Sequence, residues 1–394
     1  VDSFFNNRYI DEIGAGVFRL FLWGILFAGI QACSSSGPDQ RFDYYPVKVE
    51  PEFASGFRVY YFPSYKRVEI VNPMDSSHIE HTYFLVEHGT KPPENEDEFP
   101  VIRVPLSNFS CLSTTHIPFL KKLDQLTKLA GVGHTDRIID STLAQQIEEG
   151  WTLEITSSGQ PDIERILYAN THVLFAYPFD AYALTSLDRL NIPVVYVGEY
   201  KEKSALARAE WMKFFALFFN QEKQANQWFD QIKSQYQEVQ QLIVAHKAVK
   251  KPTVFYGSQY QDVWYAPDAQ SLMAHLIRDA GGEYFTDQLN QGENLILSIE
   301  TLVGAMDQID FWGEIIPETD TLRAADFMFS DSRLKEMALG NDVSFFGVNT
   351  QTRDYFGQAI IEPHVLLKDL GAIFYPDLYH THRFMYFQPI KEKG

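Results

Sequence analysis

Residues 203–245 are the longest helical stretch legible in this sequence, and they separate two runs in which short strand-like segments alternate with helix-like ones. Within the stretch, Trp228, Ile232, Tyr236, Val239 and Ile243 step by three or four with Gln, Lys and Glu between them, the period of a helix with one buried stripe. Asn220 is placed to cap a first helix before a second begins. Ahead of it the pattern predicts strands over 108–112, 129–132, 173–176 and 194–197, with helices from Ile117 and over 143–149, 162–169 and 181–190. Behind it come strands over 253–256, 308–311 and 343–347, with helices over 271–280, 299–306, 332–339 and 363–370. Alternation of this kind predicts an α/β fold with parallel sheets covered by helices, here two Rossmann-like αβ lobes joined by one long helix.

The front of the chain follows other rules. Phe57, Val59, Tyr61, Val68 and Ile70 alternate as strands do, 83–86 adds another short strand, and the Pro-rich acidic stretch 91–99 reads as a surface loop. This predicts a small N-terminal β appendage. Residues 20–30 form an uncharged apolar run behind Arg8 and Arg19, too short to span a bilayer comfortably and of signal-peptide length. Ile30-Gln31-Ala32-Cys33 resembles a bacterial lipobox, with Cys33 as the lipidated residue; a buried helix capped by the following serines is the alternative. The expected division is a lipoprotein signal peptide over 1–32, tether and β appendage over 33–105, an N-terminal lobe over 106–202, the linking helix over 203–247 and a C-terminal lobe over 248–388.

A net charge of −19, with no Lys/Arg-rich run, argues against a nucleic-acid partner. The 31 Phe, 21 Tyr and 6 Trp suit either a ring-rich core or a large, flat ligand. No Walker loop, GxGxxG or GxSxG motif occurs, which disfavours an enzyme. His78/His81 and His380/His382 have chelating spacing, yet no zinc-type set of four Cys and His accompanies them. An αβ enzyme acting on a metal chelate and a free-zinc scavenger are therefore the alternatives to a binding protein.

The halves echo one another. Glu164 stands seven residues before Thr171, which opens the segment Thr171-His172-Val173-Leu174-Phe175, and Glu300 stands at the same spacing before Asp307-Gln308-Ile309-Asp310-Phe311. Each Glu falls in a first helical turn, where the helix dipole favours acids in any case. Cys111-Leu112-Ser113-Thr114-Thr115-His116, Gly131-Val132-Gly133, Pro161-Asp162-Ile163-Glu164, Trp264-Tyr265-Ala266-Pro267, Ala280-Gly281-Gly282-Glu283-Tyr284, Ser298-Ile299-Glu300 and Glu362-Pro363-His364, with the linking helix, carry a resemblance over roughly 108–388. In order and spacing they resemble the substrate-binding proteins of ABC importers for ferric siderophores, haem and cobalamin. The resemblance implies a monomer with rigid lobes and one metal complex held between them, no resident cofactor, and ABC permease and ATPase subunits as partners. It also implies a periplasmic location on a bacterial membrane, through a lipid anchor, and docking of Glu164 and Glu300 to the permease.

Loops at the carboxyl ends of parallel strands face the cleft in open αβ sheets. Candidate ligand-binding residues are therefore Ser113, Thr114, Thr115 and His116 after the first strand, which could equally cap the next helix. His134 and Arg137 follow the second strand, and Tyr177 and Phe179 follow the strand over 173–176. In the second half Tyr256, Tyr260, Trp264 and Tyr265 form an aromatic cluster, expected to lie near the cleft. Asn349, Arg353 and Tyr355 follow the last core strand, where Arg353 could pair with a ligand carboxylate or phosphate or simply face solvent.

Overall fold

The computed structural model describes residues 45–94, 98–246, 250–260, 263–288, 295–316, 336 and 340–390. Cys33, the signal and tether segments and nearly all of the helix expected over 332–339 lie outside the described residues.

Four strands form the first sheet, in the order β1(Phe57–Tyr61), β2(Tyr65–Asn72), β3(Asp75–Glu87) and β4(Val101–Val104). The second sheet is wholly parallel. From one edge to the other it runs β11(Val194–Tyr196), β10(Leu174–Ala176), β5(Phe109–Cys111), β6(Leu129–Val132) and β7(Leu153–Glu154). A short hairpin, β8(Thr156–Ser157) with β9(Gln160–Pro161), follows β7. The third sheet orders β15(Glu283–Tyr284), β12(Thr253–Tyr256), β17(Phe311–Ile316) and β18(Ser344–Asn349) in parallel, with β19(Gln388–Pro389) antiparallel on the outer edge. Beside it β13(Ser258–Tyr260), β14(Val263–Ala266) and β16(Leu295–Leu297) make an antiparallel sheet.

Two helices lie between the parallel sheets in sequence, α5(Ala205–Leu217) and α6(Glu222–Ala245). They are separated at Asn220, whose φ of 56° puts it in the left-handed region that ends helices. Helix α6 touches both lobes. Lys122 lies over the Trp228 ring at 5.7 Å on the N-terminal side. On the other side the Tyr236 hydroxyl donates to Asp279 Oδ2 at 2.6 Å, at the end of α7(Leu272–Asp279). Alternation along the strands divides the packing: on β10 Phe175 joins the shared central core while Leu174 and Ala176 face a core private to the N-terminal lobe. On β12 Val254 and Tyr256 face the central core and Phe255 a core private to the C-terminal lobe. A single central core therefore runs from Phe57 through both helices to Phe387, which ties the lobes together.

The first sheet is the expected N-terminal β appendage, and buried charges hold it and the segment before it against α5 and the start of α6. Helix α5 is apolar almost all round because it is covered on every side, including by Phe57 against Trp211 and Phe214 at 5.1 and 5.5 Å. Glu210, fully buried, accepts the backbone N–H groups of Glu52, Phe53 and Ala54 and pairs with Lys213 Nζ at 2.6 Å. Glu202 accepts from Ser55, Gly56 and the Trp211 indole, while Lys66 reaches Glu222, Asn220 and the Leu217 carbonyl. The strand expected over 308–311 begins later: Met306–Gln308 is a tight turn, and β17 starts at Phe311.

Candidate functional site

Three adjacent strands bring the N-terminal lobe's polar groups to one point. Ser113 and Thr115 follow β5, Tyr177 follows β10, and Glu199 follows β11, all at the carboxyl edge of the sheet. Thr115 Oγ1 and Tyr177 Oη lie 2.9 and 2.7 Å from Glu199 Oε1, which accepts from them, and 2.5 Å from each other, and Ser113 Oγ lies 2.9 Å from Thr115 Oγ1. Ser113 also caps the turn Thr114–His116 by accepting from the Thr115 N–H, so the helix-capping reading and the cleft reading hold together. Beneath lie His116 and Glu199, both fully buried, with His116 Nε2 3.9 Å from Glu199 Oε2 and Arg208 Nη2 3.7 Å from Glu199 Oε1. Burial pushes His116 down to about 4, with Glu199 opposing and Arg208 adding to the shift. Burial first, and then the Glu199 charge, push the Tyr177 phenol well up.

The β6 end adds a second wall. His134 takes a left-handed conformation, φ 56°, and its turn is held by Glu154 of β7, which accepts from the His134 and Thr135 N–H groups at 3.2 and 2.7 Å. That turn presents Arg137, whose side chain is largely exposed. From the C-terminal lobe the segment after β18 closes the site. Asn349 is buried and its Oδ1 accepts from the Gln351 and Thr352 N–H groups, shaping the turn that carries Arg353, Asp354, Tyr355 and Phe356. Burial raises the Asp354 carboxyl, and Asp140 of the other lobe raises it further.

Together these loops enclose a cavity of about 940 Å³ between the lobes. Ser113, Thr114, Thr115, His134, Arg137, Tyr177, Phe179, Arg353 and Tyr355 line it, all of them candidates from the sequence. Leu112, Ile138, Ile139, Thr156, Asp180, Thr350, Gln351, Asp354 and Phe356 line it as well. The remaining candidates sit elsewhere. His116 is under the floor, and Tyr256 is packed in the central core near Phe346 and Phe387. Trp264 is fully buried in the private core of the C-terminal lobe, its ring 5.0 Å from Trp312, because strand alternation turns it inward while Tyr265 turns out. Tyr260 pairs with Val263 at the end of the β13–β14 hairpin. Glu199 is the functional candidate that the sequence reading missed; its signal was its place just beyond the end of a predicted strand.

Glu164 and Glu300 are both exposed in first turns, of α3(Ile163–Tyr168) capped by Asp162 and of α8(Ile299–Ala305) capped by Ser298. These helices precede β10 and β17, which occupy equivalent positions in their sheets. Among the described residues no group of three or more His, Cys, Asp or Glu is arranged to hold a metal ion. His81 lies against Tyr196, ring centroids 4.3 Å apart and tilted, and His382 binds the buried Asp369 at 2.6 Å. No described helix is long and apolar enough to cross a membrane.

The family described as periplasmic binding protein matches residues 110–337. An uncharacterized lipoprotein of Methanocaldococcus jannaschii is 25% identical over 301 residues, 73% of this chain and 70% of its own length. A periplasmic haem-binding protein from Pseudomonas aeruginosa has a similar fold at 13% identity, with TM-score 0.55 over 73% of this chain and 99% of its own. So does a siderophore-binding protein from Vibrio cholerae solved with ferric desferal, at 14% identity and TM-score 0.50 over 68% and 99%.

Proposed function

The chain belongs to the periplasmic binding protein family, a family of solute-binding proteins rather than enzymes, and we propose that it captures an iron complex between its lobes and delivers it to an ABC importer. The cargo on this reading is a ferric siderophore or haem, with cobalamin as the runner-up. The observation that carries the reading is the cavity of about 940 Å³ walled by both lobes, where Arg137 and Arg353 come from opposite sides and Tyr177, Phe179, Tyr355 and Phe356 supply rings. That volume suits a chelate of drug size or larger, and guanidinium groups suit its carboxylate or catecholate oxygens. The haem- and siderophore-binding proteins of similar fold support the substrate class, the Methanocaldococcus jannaschii lipoprotein supports a lipid on Cys33 and with it a membrane anchor, and the family supports a periplasmic location. The reading takes 1–32 as signal, 33–105 as tether and first sheet, 106–202 and 248–388 as the lobes and 203–247 as the link, in a monomer with no nucleic-acid partner.

Glu164 and Glu300 dock on the permease in this scheme. Exposed carboxylates contribute little to stability but set orientation and encounter rate, which suits a protein that must release its partner each cycle. The test is calorimetric titration with ferric desferal, haem and cobalamin, because the tryptophans Trp264 and Trp312 are too deep in the C-terminal lobe to report on the cleft. Saturable binding with a Kd below about 1 μM, near −8 kcal/mol, is expected for one of the three. Glu164→Ala with Glu300→Ala leaves that affinity unchanged and abolishes uptake in cells; silence across the panel in folded protein overturns the proposal.

A further inference from the structure

The polarity of the cleft floor follows from proton counting. A carboxylate can only accept hydrogen bonds, whereas each hydroxyl has one proton to donate and two lone pairs. Thr115 Oγ1 and Tyr177 Oη lie 2.5 Å apart and both lie against Glu199 Oε1, so their two protons are shared within this triangle, one between the hydroxyls and one on the carboxylate or both on it, and none is left over for the cavity. Ser113, which already accepts from the Thr115 N–H, is left to donate to Thr115 Oγ1. The three hydroxyl protons then all point inward, into this cluster, and the valences left toward the cavity, which Ser113, Thr115 and Tyr177 line, are lone pairs. Glu199 is itself fully buried and lies outside that lining, so it acts only through the hydroxyls it orders.

We propose that Glu199 is a positioning residue that makes the N-terminal floor of the cleft a hydrogen-bond acceptor, so that the cargo presents hydrogen-bond donors there, as an ammonium, amide N–H or hydroxyl. The opposite requirement holds at Arg137 and Arg353, whose guanidinium groups only donate. The ligand class is accordingly amphoteric: oxygen acceptors toward the arginines and a donor-bearing group toward Ser113, Thr115 and Tyr177. This rests on the cleft's being the ligand site, as proposed above.

The test uses the full chain with two probes: ferric desferal, which ends in a free ammonium, and haem, whose polar edge is two carboxylates. Ferric desferal is expected to bind more tightly than haem. Glu199→Leu removes the acceptor that Thr115 and Tyr177 share, so their protons lose the partner that draws them inward and one is freed to turn into the cavity; it is expected to weaken ferric desferal binding about tenfold or more and leave haem unchanged or tighter. Equal weakening of both probes, or no change in either, overturns the proposal. A second readout needs no cargo. The Raman difference spectrum between wild type and Tyr177→Phe isolates the Tyr177 Fermi doublet, whose intensity ratio separates a donating hydroxyl from an accepting one. A donating Tyr177 in wild type, lost in Glu199→Leu, supports the proposal, and a Tyr177 that only accepts in wild type overturns it whether or not the variant folds. Should neither iron compound bind, the iron-complex reading fails by itself, and methylammonium against acetate, followed by the same doublet, decides the floor. A response to methylammonium alone supports the acceptor floor; a response to acetate, or to neither, overturns it.

Discussion

The two lobes share a strand order and differ in what they bury. In the N-terminal lobe β6, β5, β10 and β11 lie side by side; in the C-terminal lobe β15, β12, β17 and β18 occupy the same places. Under the carboxyl edge of the N-terminal lobe's parallel sheet sit Glu199, His116 and, from α5, Arg208, and α5 also carries buried Glu210 and Lys213. The private core of the second lobe is built from rings, with Trp312 4.4 Å from Phe255 and 5.0 Å from Trp264, and Glu314 on β17 is among the acids that burial raises in this lobe. One scaffold thus supports two interiors, and the residues just past the strand ends, rather than the strands, decide which lobe supplies the polar floor and which supplies a closing loop.

The largest expected effect breaks the charged side of this comparison. Glu210→Ala strands Lys213 and the N–H groups of Glu52, Phe53 and Ala54 in the interior, and should cost about 3–5 kcal/mol in urea denaturation. A loss below about 1 kcal/mol would mean that water replaces the carboxylate and that the first sheet is a loose cover after all.

Opposite pH slopes are expected next. His116 is held at about 4 against an ordinary 6.5, so between those values the unfolded chain takes up a proton that the fold refuses. Stability contributed by the N-terminal lobe therefore falls as pH drops through that window, by on the order of 3 kcal/mol in full. Glu314 is raised by burial from 4.5 to about 7, so between these values the fold keeps a proton that the unfolded chain gives up. Its contribution falls as pH rises through that window, by a similar order. Urea titrations across the range should show Glu314→Gln removing the loss on the rising side and His116→Gln the loss on the acid side. A shared slope in the two variants would erase the distinction.

The smallest effect sharpens the comparison at the cleft. Arg137→Ala and Arg353→Ala should each weaken the chelate that binds by about tenfold, roughly 1.4 kcal/mol. If both lobes grip one anionic group, the double variant loses less than the sum, since sites sharing a partner are not additive. Strict additivity in calorimetry would assign the two arginines to separate groups.

Much of the architecture was legible. The strands over 129–132 and 253–256 stand at the bounds that their apolar runs predict, and Asn220 breaks the helical stretch where its conformational tolerance suggests. The aromatic cluster misled, because composition cannot say that Trp264 faces inward while Tyr265 faces solvent until the β13–β14–β16 pairing is known. Lys213 interrupts the apolar run over 211–219. In the fold it is buried between Glu210 and the Phe229 ring, at 2.6 and 4.5 Å.

By itself the sequence determined the succession of elements, the division around a helical link and the glutamates that open matching helices. These depend on local periodicity, capping and turn chemistry, which a short window of residues contains in full. Only the tertiary structure decided that Thr115 and Glu199, 84 residues apart, meet beside Tyr177 and that Arg353 joins Arg137 across one cavity. Which parallel strands become neighbours, and which loops then converge, depends on burying both faces of a sheet at once, and no single segment carries that information.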